Sequence, residues 1–284
     1  MTNAIIDFRA RLPEELRPPQ APPAAGYRSQ YDAVLGVSDN IDKTFADLIA
    51  EMEANGVEHT VVHAEYEYGD PADAMNQAVA KLVREDPARF SGFGTISMAP
   101  LDIMRALGQV AEIAEQGLIG VSIQPSFFHL AIDDARLYPV YAKAAEVGLM
   151  VALHTGINYS VSHPIKNDHP LQLDQVACDF PELVLIACHA GWPWTAEMVA
   201  VGRKHPNVFM EFGGLAPKYV GAPGSGWEVM YRFMNSVLSE QVLHGTDWPV
   251  FPMARAIAEW RGIGLKDRVV EAVLGGNAAR LLGR

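Results

Sequence analysis

Leu149-Met150-Val151-Ala152-Leu153-His154-Thr155-Gly156 runs five apolar residues straight into a histidine, a small residue and a glycine. An apolar run without alternation is the pattern of a strand buried on both faces, as in a parallel sheet. It puts His154 at the strand's C-terminal end. Two later stretches repeat the arrangement. Leu183 to Cys188 leads into His189-Ala190-Gly191, and Gln241-Val242-Leu243-His244 leads into Gly245-Thr246-Asp247. Three strands thus deliver a metal-competent or proton-transferring side chain to the same end of a sheet. That repetition points to an active site.

Working outward from these three, the same strand-then-helix unit recurs along the chain. Strands are expected at 4–8, 57–64, 90–96, 117–124, 149–154, 183–189 and 208–212, with an eighth ending near Asp247. Helical spacing covers 41–55, where Phe45, Leu48, Ile49 and Met52 share a face and Asn55-Gly56 closes the helix. Further helices are expected at 71–85, 102–116, 134–147, 171–180, 194–204 and 228–238, followed by three short ones at 254–260, 266–274 and 277–282. Eight βα units in one chain predict an α/β fold, a single (β/α)₈ TIM barrel spanning residues 1–284 as one domain. An open doubly wound sheet is the competing architecture, but no glycine fingerprint follows strand one, where a nucleotide fold would carry it. Between strand one and the first helix lies a long connection, proline-rich from Pro18 to Gly26. Its length suits a binding loop or lid, with a plain surface loop as the alternative.

The 284 residues are 49% hydrophobic and 20% charged, which fits a globular chain with a substantial core. With 22 basic against 34 acidic residues the formal net charge is −12. No basic field covers the chain, which argues against nucleic acid as a partner. Two cysteines make no disulfide framework, so a reducing compartment is expected. The first residues carry neither a basic nor an apolar segment of the secretory kind, and no apolar run approaches the roughly 20 residues of a membrane span. A cytoplasmic location is therefore expected.

In a barrel the C-terminal strand ends meet at one mouth. Arg9 and Arg11 follow strand one, Glu65 follows strand two, and Gln124 ends strand four. His154, His189, Glu211 and Asp247 stand at the ends of strands five to eight. Two histidines and an aspartate are a set that holds Zn²⁺ or Mn²⁺ and activates water.

His154-Thr155-Gly156, His189-Ala190-Gly191-Trp192-Pro193-Trp194, Gly245-Thr246-Asp247-Trp248-Pro249 and Asn277-Ala278-Ala279-Arg280-Leu281-Leu282 together resemble the late motifs of the amidohydrolase superfamily. The resemblance is to the amidohydrolase 2 branch, which includes aminocarboxymuconate-semialdehyde decarboxylase and pyrone-dicarboxylate lactonase. It runs from strand one to the terminal helix. It implies that His154 and Asp247 correspond to metal ligands and His189 to an acid/base or polarising group. It also implies a homo-oligomer. The family's first strand normally ends in Asp-x-His-x-His, or a Glu-x-His variant, and supplies two more ligands. Here it reads Asp7-Phe8-Arg9-Ala10-Arg11, and a guanidinium offers a cation no lone pair.

Three readings follow. The first is an enzyme with no metal cofactor that cleaves, by hydrolysis or decarboxylation, a small carboxylated cyclic or β-keto substrate. Arg9 and Arg11 would bind the anion, His189, His154 and Asp247 would do acid–base work, and Glu65, Gln124, Trp192 and Trp248 would line the substrate site. On this reading Arg9→Ala abolishes turnover in a folded protein. The second keeps a Zn²⁺ or Mn²⁺ ion on His154 and Asp247 and hydrolyses a lactone, ester or amide. The third is a non-catalytic binding protein on a decayed barrel, which the retained motif residues argue against. Bland roles stand beside these. Asp7 would orient neighbours such as Arg9 or make a structural salt bridge. His163, Lys166 and His169 would sit on a solvated loop, with reach to substrate as the alternative. His59 and His63 lie on or beside strand two, His63 facing inward or outward, and His129, His205 and His244 would be structural. Alternation along strand six is expected to turn Cys188 away from the mouth.

Overall fold

In the computed structural model, residues 4–19, 33, 36, 40, 42–65 and 72–284 are described. Most of the proline-rich connection lies outside them. The strands are β1 (Ile5–Arg11), β2 (Val57–His63), β3 (Phe90–Gly94), β4 (Gly120–Ile123), β5 (Met150–His154), β6 (Leu185–Cys188), β7 (Val208–Glu211) and β8 (Val242–Leu243). They form one parallel sheet in sequence order. The sheet closes on itself. Phe8 N donates to His244 O at 2.8 Å, Asp247 N to Arg9 O at 2.8 Å and Arg11 N to Trp248 O at 2.8 Å. The fold is therefore the expected (β/α)₈ barrel.

The outer layer is α1 (Phe45–Asn55), α2 (Ala72–Glu85), α3 (Ile103–Glu115), α4 (Tyr138–Glu146), α5 (Pro170–Asp179), α6 (Thr195–Lys204), α7 (Glu228–Met234), α8 (Met253–Gly262), α9 (Asp267–Glu271) and α10 (Asn277–Leu282). α1 starts four residues later than its apolar spacing suggests. Thr44 caps it and Asp47 closes a capping box, an arrangement that contributes about 1 kcal/mol. Ile6, Phe8, Val61, Phe93, Ala152, Ile186, Phe209 and Leu243 fill the barrel interior, and the larger apolar cluster lies between the strands and the helices.

β1 departs most from expectation. It runs three residues further than its apolar stretch and pairs Arg11 with His63. The register slips between Asp7 and Ala10. Such a bulge re-aims side chains, so Phe8 and Arg9 both enter the interior although they are consecutive.

Candidate active site

Arg9 sits at the top of the barrel interior with 2% of its surface exposed. Its Nε donates to Asp247 Oδ1 at 3.2 Å and its Nη2 to Glu65 Oε1 at 2.7 Å. Arg11 grips the same two carboxylates from the mouth side. Its Nε and Nη2 donate to Asp247 Oδ1 and Oδ2 at 3.1 and 2.7 Å, and its Nη1 lies 3.2 Å from Glu65 Oε2. Two guanidinium groups and two carboxylates thus form a closed quartet of balanced charge. Burial alone would raise the Asp247 carboxyl, but the charges of Arg11 and Arg9 hold it far below the ordinary carboxylate range.

Beneath the quartet, Arg9 Nη1 meets His63 Nδ1 at 3.3 Å and donates to Cys188 Sγ at 3.4 Å. His63 Nε2 faces Phe8 O at 3.1 Å, so Nε2 carries the proton and Nδ1 is left to accept from Arg9 and from Ser122 Oγ at 3.2 Å. Burial and the Arg9 charge hold His63 neutral. Neither contact was legible in advance. Cys188 faces the interior rather than away from the mouth, because His189 takes a left-handed backbone (φ 63°) that breaks the strand alternation. Burial pushes the Cys188 thiol up to about 12, against the pull of Arg9.

Glu211 is fully buried beside Arg9. It accepts from Gly213 N through Oε1, while Oε2 has no partner. A Cβ on Gly245 would collide with this carboxyl, so a larger residue there would force Glu211 to shift. Among the described residues Asp7 makes no salt bridge. It accepts from Thr246 N at 3.0 Å, Thr246 Oγ1 at 2.5 Å and Arg9 N at 3.2 Å, which ties β1 to the loop after β8.

Burial raises Asp7 to about 7, and raises Glu211 to about 8 against the pull of Arg9. The native state keeps these protons well above the pH near 4 at which the unfolded chain sheds them. The stability they contribute is complete in acid and is lost as pH rises toward 8. The neutral histidines act in the opposite sense, since the unfolded chain takes up protons below about 6.5. Between that pH and about 8 these two carboxyls dominate the linkage, so the melting temperature is expected to fall over that range. Glu211→Gln should flatten that fall by about 1 kcal/mol per pH unit. Identical slopes in variant and wild type would sink this assignment.

His154 and His189 complete the mouth, their rings 4.8 Å apart and edge to face. His189 Nδ1 lies 2.6 Å from Gly213 O and donates to it, which leaves Nε2 unprotonated. Burial, with the neighbouring His154 and Arg9, lowers His189 to about 3. His154 Nδ1 lies 3.1 Å from Asp168 Oδ1, although the angle is too poor for a full hydrogen bond. Asp168 is itself fully buried and held by Asn158 Nδ2 at 2.8 Å. It comes from the strand-five loop, where nothing in the local sequence singles it out.

The remaining candidates separate. Trp192 lines a cavity of about 430 Å³ together with Gly214, Leu215, Tyr219, Trp227 and Phe251. A Cβ on Gly214 would lie 3.3 Å from His189 Nδ1 and 3.5 Å from Asp247 Oδ2, so this cavity abuts the quartet. Trp248 is fully buried and donates its indole N–H to Glu51 on α1 at 3.3 Å, away from the cavity. Gln124 is buried with Oε1 unpartnered and is not joined to the quartet. His163 packs on Phe127 and His129, and His169 caps α5.

This arrangement does not fit a divalent cation. Guanidinium N–H groups occupy both Asp247 oxygens, and two fixed positive charges stand beside the set, although each histidine keeps its Nε2 available.

An amidohydrolase family model matches residues 6–284, and the chain belongs to that family, in its amidohydrolase 2 branch. By family it is an enzyme, a hydrolase or a carbon–carbon lyase. It is 24% identical over 245 residues to 2-amino-3-carboxymuconate-6-semialdehyde decarboxylase of Dictyostelium discoideum, covering 75% of this chain and 67% of that one. Its fold matches an uncharacterised TIM-barrel protein from Bordetella bronchiseptica with a TM-score of 0.78 and 28% identity over 98% of both chains. It also matches 5-carboxyvanillate decarboxylase from Sphingomonas paucimobilis with a TM-score of 0.69 and 20% identity, again over 98% of both chains. No helix among the described residues is long and apolar enough to cross a membrane.

Proposed function

We propose that this chain is a metal-independent member of its family that cleaves a small carboxylated cyclic or β-keto substrate. The observation that carries the reading is the hold of both arginines on Asp247 and Glu65. Two fixed guanidinium groups supply the two positive charges that a divalent ion would bring. They act in a water-poor pocket where preorganised charge is most effective at stabilising a developing anion. Arg9 is sealed below, whereas Arg11 keeps 16% of its side chain exposed at the mouth. Arg11 is therefore the group that meets the substrate's anion.

The cavity suits a planar ring. Its volume lies in the range of small-ligand pockets, and Trp192, Tyr219, Trp227 and Phe251 offer aromatic faces. Next to its lining residue Gly214, the neutral His189, with Nε2 unprotonated, would take a proton from water or substrate. His154, with the Asp168 carboxylate 3.1 Å from its Nδ1, stands beside it as the second proton-transfer group. An unprotonated His189 favours activation of water and hence hydrolysis. The decarboxylases among its relatives favour loss of CO₂ from the same class of acid. A cytoplasmic homo-oligomer belongs to the same reading.

The test is a screen of lactones, aromatic acids and β-keto acids with chelator-treated protein, following ring opening and CO₂ release separately. Turnover should survive chelation, and His189→Gln should lower kcat by about 10²–10⁴-fold with KM little changed. Activity that disappears on chelation and returns with Mn²⁺ would overturn the reading.

A further inference from the structure

On the outside of the barrel, away from the mouth, three side chains of metal-binding type converge. Asp174 and Cys178 stand four residues apart on α5 and so share one face of that helix. His205 follows directly after α6. One ligand atom from each lies within 4.8 Å of the others. His205 Nε2 is 2.7 Å from Asp174 Oδ1 and 4.0 Å from Cys178 Sγ. In a tetrahedral zinc site neighbouring donors are roughly 3.3–3.6 Å apart, so side-chain adjustments on the order of 1 Å would bring these three into place. The seat already attracts a cation. Lys204 Nζ donates to both Asp174 oxygens at 2.8 and 3.0 Å and to Cys178 Sγ at 3.3 Å. Its side chain is 53% exposed, so the ammonium can swing into solvent when another cation arrives.

We propose that Asp174, Cys178 and His205 form a Zn²⁺ site that links α5 to the end of α6, with water as the fourth ligand. Thiolate, imidazole and carboxylate together select zinc over Mg²⁺ or Mn²⁺. On binding, the Cys178 thiol releases its proton to solvent. His205 carries its proton on Nδ1, so that Nε2 bonds the metal. The Asp174 carboxylate binds as it is, and Lys204 moves out. Thiolate and carboxylate then balance the two charges of the ion. The site bears on the barrel as well. Zinc counted on the purified protein would belong here, and would otherwise be assigned to the catalytic centre.

The experiment is a titration of chelator-stripped full-length protein with ZnCl₂ against a chromophoric chelator, on wild type and on C178S, H205Q and K204A. Wild type should take up about one Zn²⁺ per chain. C178S should weaken binding on the order of 100-fold, the share of one ligand in such a site. H205Q should do the same, and K204A should tighten it by removing the competing ammonium. Cys178 is exposed, so C178S leaves the fold intact and its result stands alone. Zinc held equally well by wild type and C178S would overturn the proposal and place the ion elsewhere. Absence of binding by both wild type and K204A would also overturn it.

Discussion

Replacing both arginines of β1 at once, Arg9→His with Arg11→His, is expected to turn the quartet into a metal centre. The double variant should bind about one Mn²⁺ per chain where wild type binds none at the mouth. Mn²⁺ is the better probe, because the thiol-bearing site outside the barrel prefers zinc. In wild type Asp247 cannot take a metal, since its two oxygens already accept three guanidinium N–H groups. Removing those groups frees both oxygens and also removes two positive charges. Imidazoles at 9 and 11 would restore the ligand pattern that the family's first strand normally carries, opposite His154 and Asp247, which are in place. Glu65, relieved of both guanidinium groups, would add further negative charge at the rim. The measurements are Mn²⁺ binding by electron paramagnetic resonance and the rise in melting temperature with added Mn²⁺. Binding that saturates at 100 times Kd should raise stability by about 2.7 kcal/mol. The wild-type reaction should be lost in the same variant. A double variant that folds but binds Mn²⁺ no better than wild type would show that the arginines are not what keeps the metal out.

How far the sequence alone reaches can be judged from the same residues. The barrel was legible because apolar runs ending in His154, His189 and Asp247 recur at the spacing of βα units, and all three do meet at one mouth. The arginines were legible as a departure from a motif, but their partners were not. Which carboxylates they hold depends on the bulge in β1 and on the loops after β2 and β8, and no local pattern encodes either. His63 looked like an ordinary strand histidine, since inward or outward aim turns on a single step of register. Cys188 was placed on the wrong side because strand alternation does not survive a left-handed residue at the strand's end. Trp248 belongs to a motif at the mouth, yet its ring turns outward to Glu51. Asp168 sits fourteen positions beyond His154 in a loop, at a distance set only by the folded chain.

The burial of Arg9 changes what its removal would report. Arg9→Ala is expected to destabilise the protein by about 3–5 kcal/mol, the usual consequence of breaking a buried ion pair by deleting one partner. The side chain donates to Asp247, Glu65 and Cys188, pairs with His63, and lies beside Glu211. Without it Asp247, Glu65 and the buried Glu211 would be left with Arg11 of the pair, in a largely buried pocket. For a chain of this size the melting temperature should fall by roughly 6–20 °C. Lost activity in that variant would therefore mix a weakened fold with a missing charge. Arg11→Ala is the cleaner probe of the reaction, because Arg11 is partly exposed and leaves Arg9 to hold both Asp247 and Glu65. The cost of Arg9→Ala should also depend on pH. The Arg9 charge helps hold Asp247 ionised, so the variant's deficit should shrink as acid neutralises the stranded carboxylates. Adding Asp247→Asn to Arg9→Ala should cost less than the two single changes summed, by 0.5 kcal/mol or more on the usual scale of coupled pairs, about 0.5–3 kcal/mol. Chemical denaturation of the four proteins at pH 7 and at pH 5 measures all of these terms. A melting temperature for Arg9→Ala within two degrees of wild type, or strict additivity with Asp247→Asn, would mean that the quartet is not held together as its distances indicate.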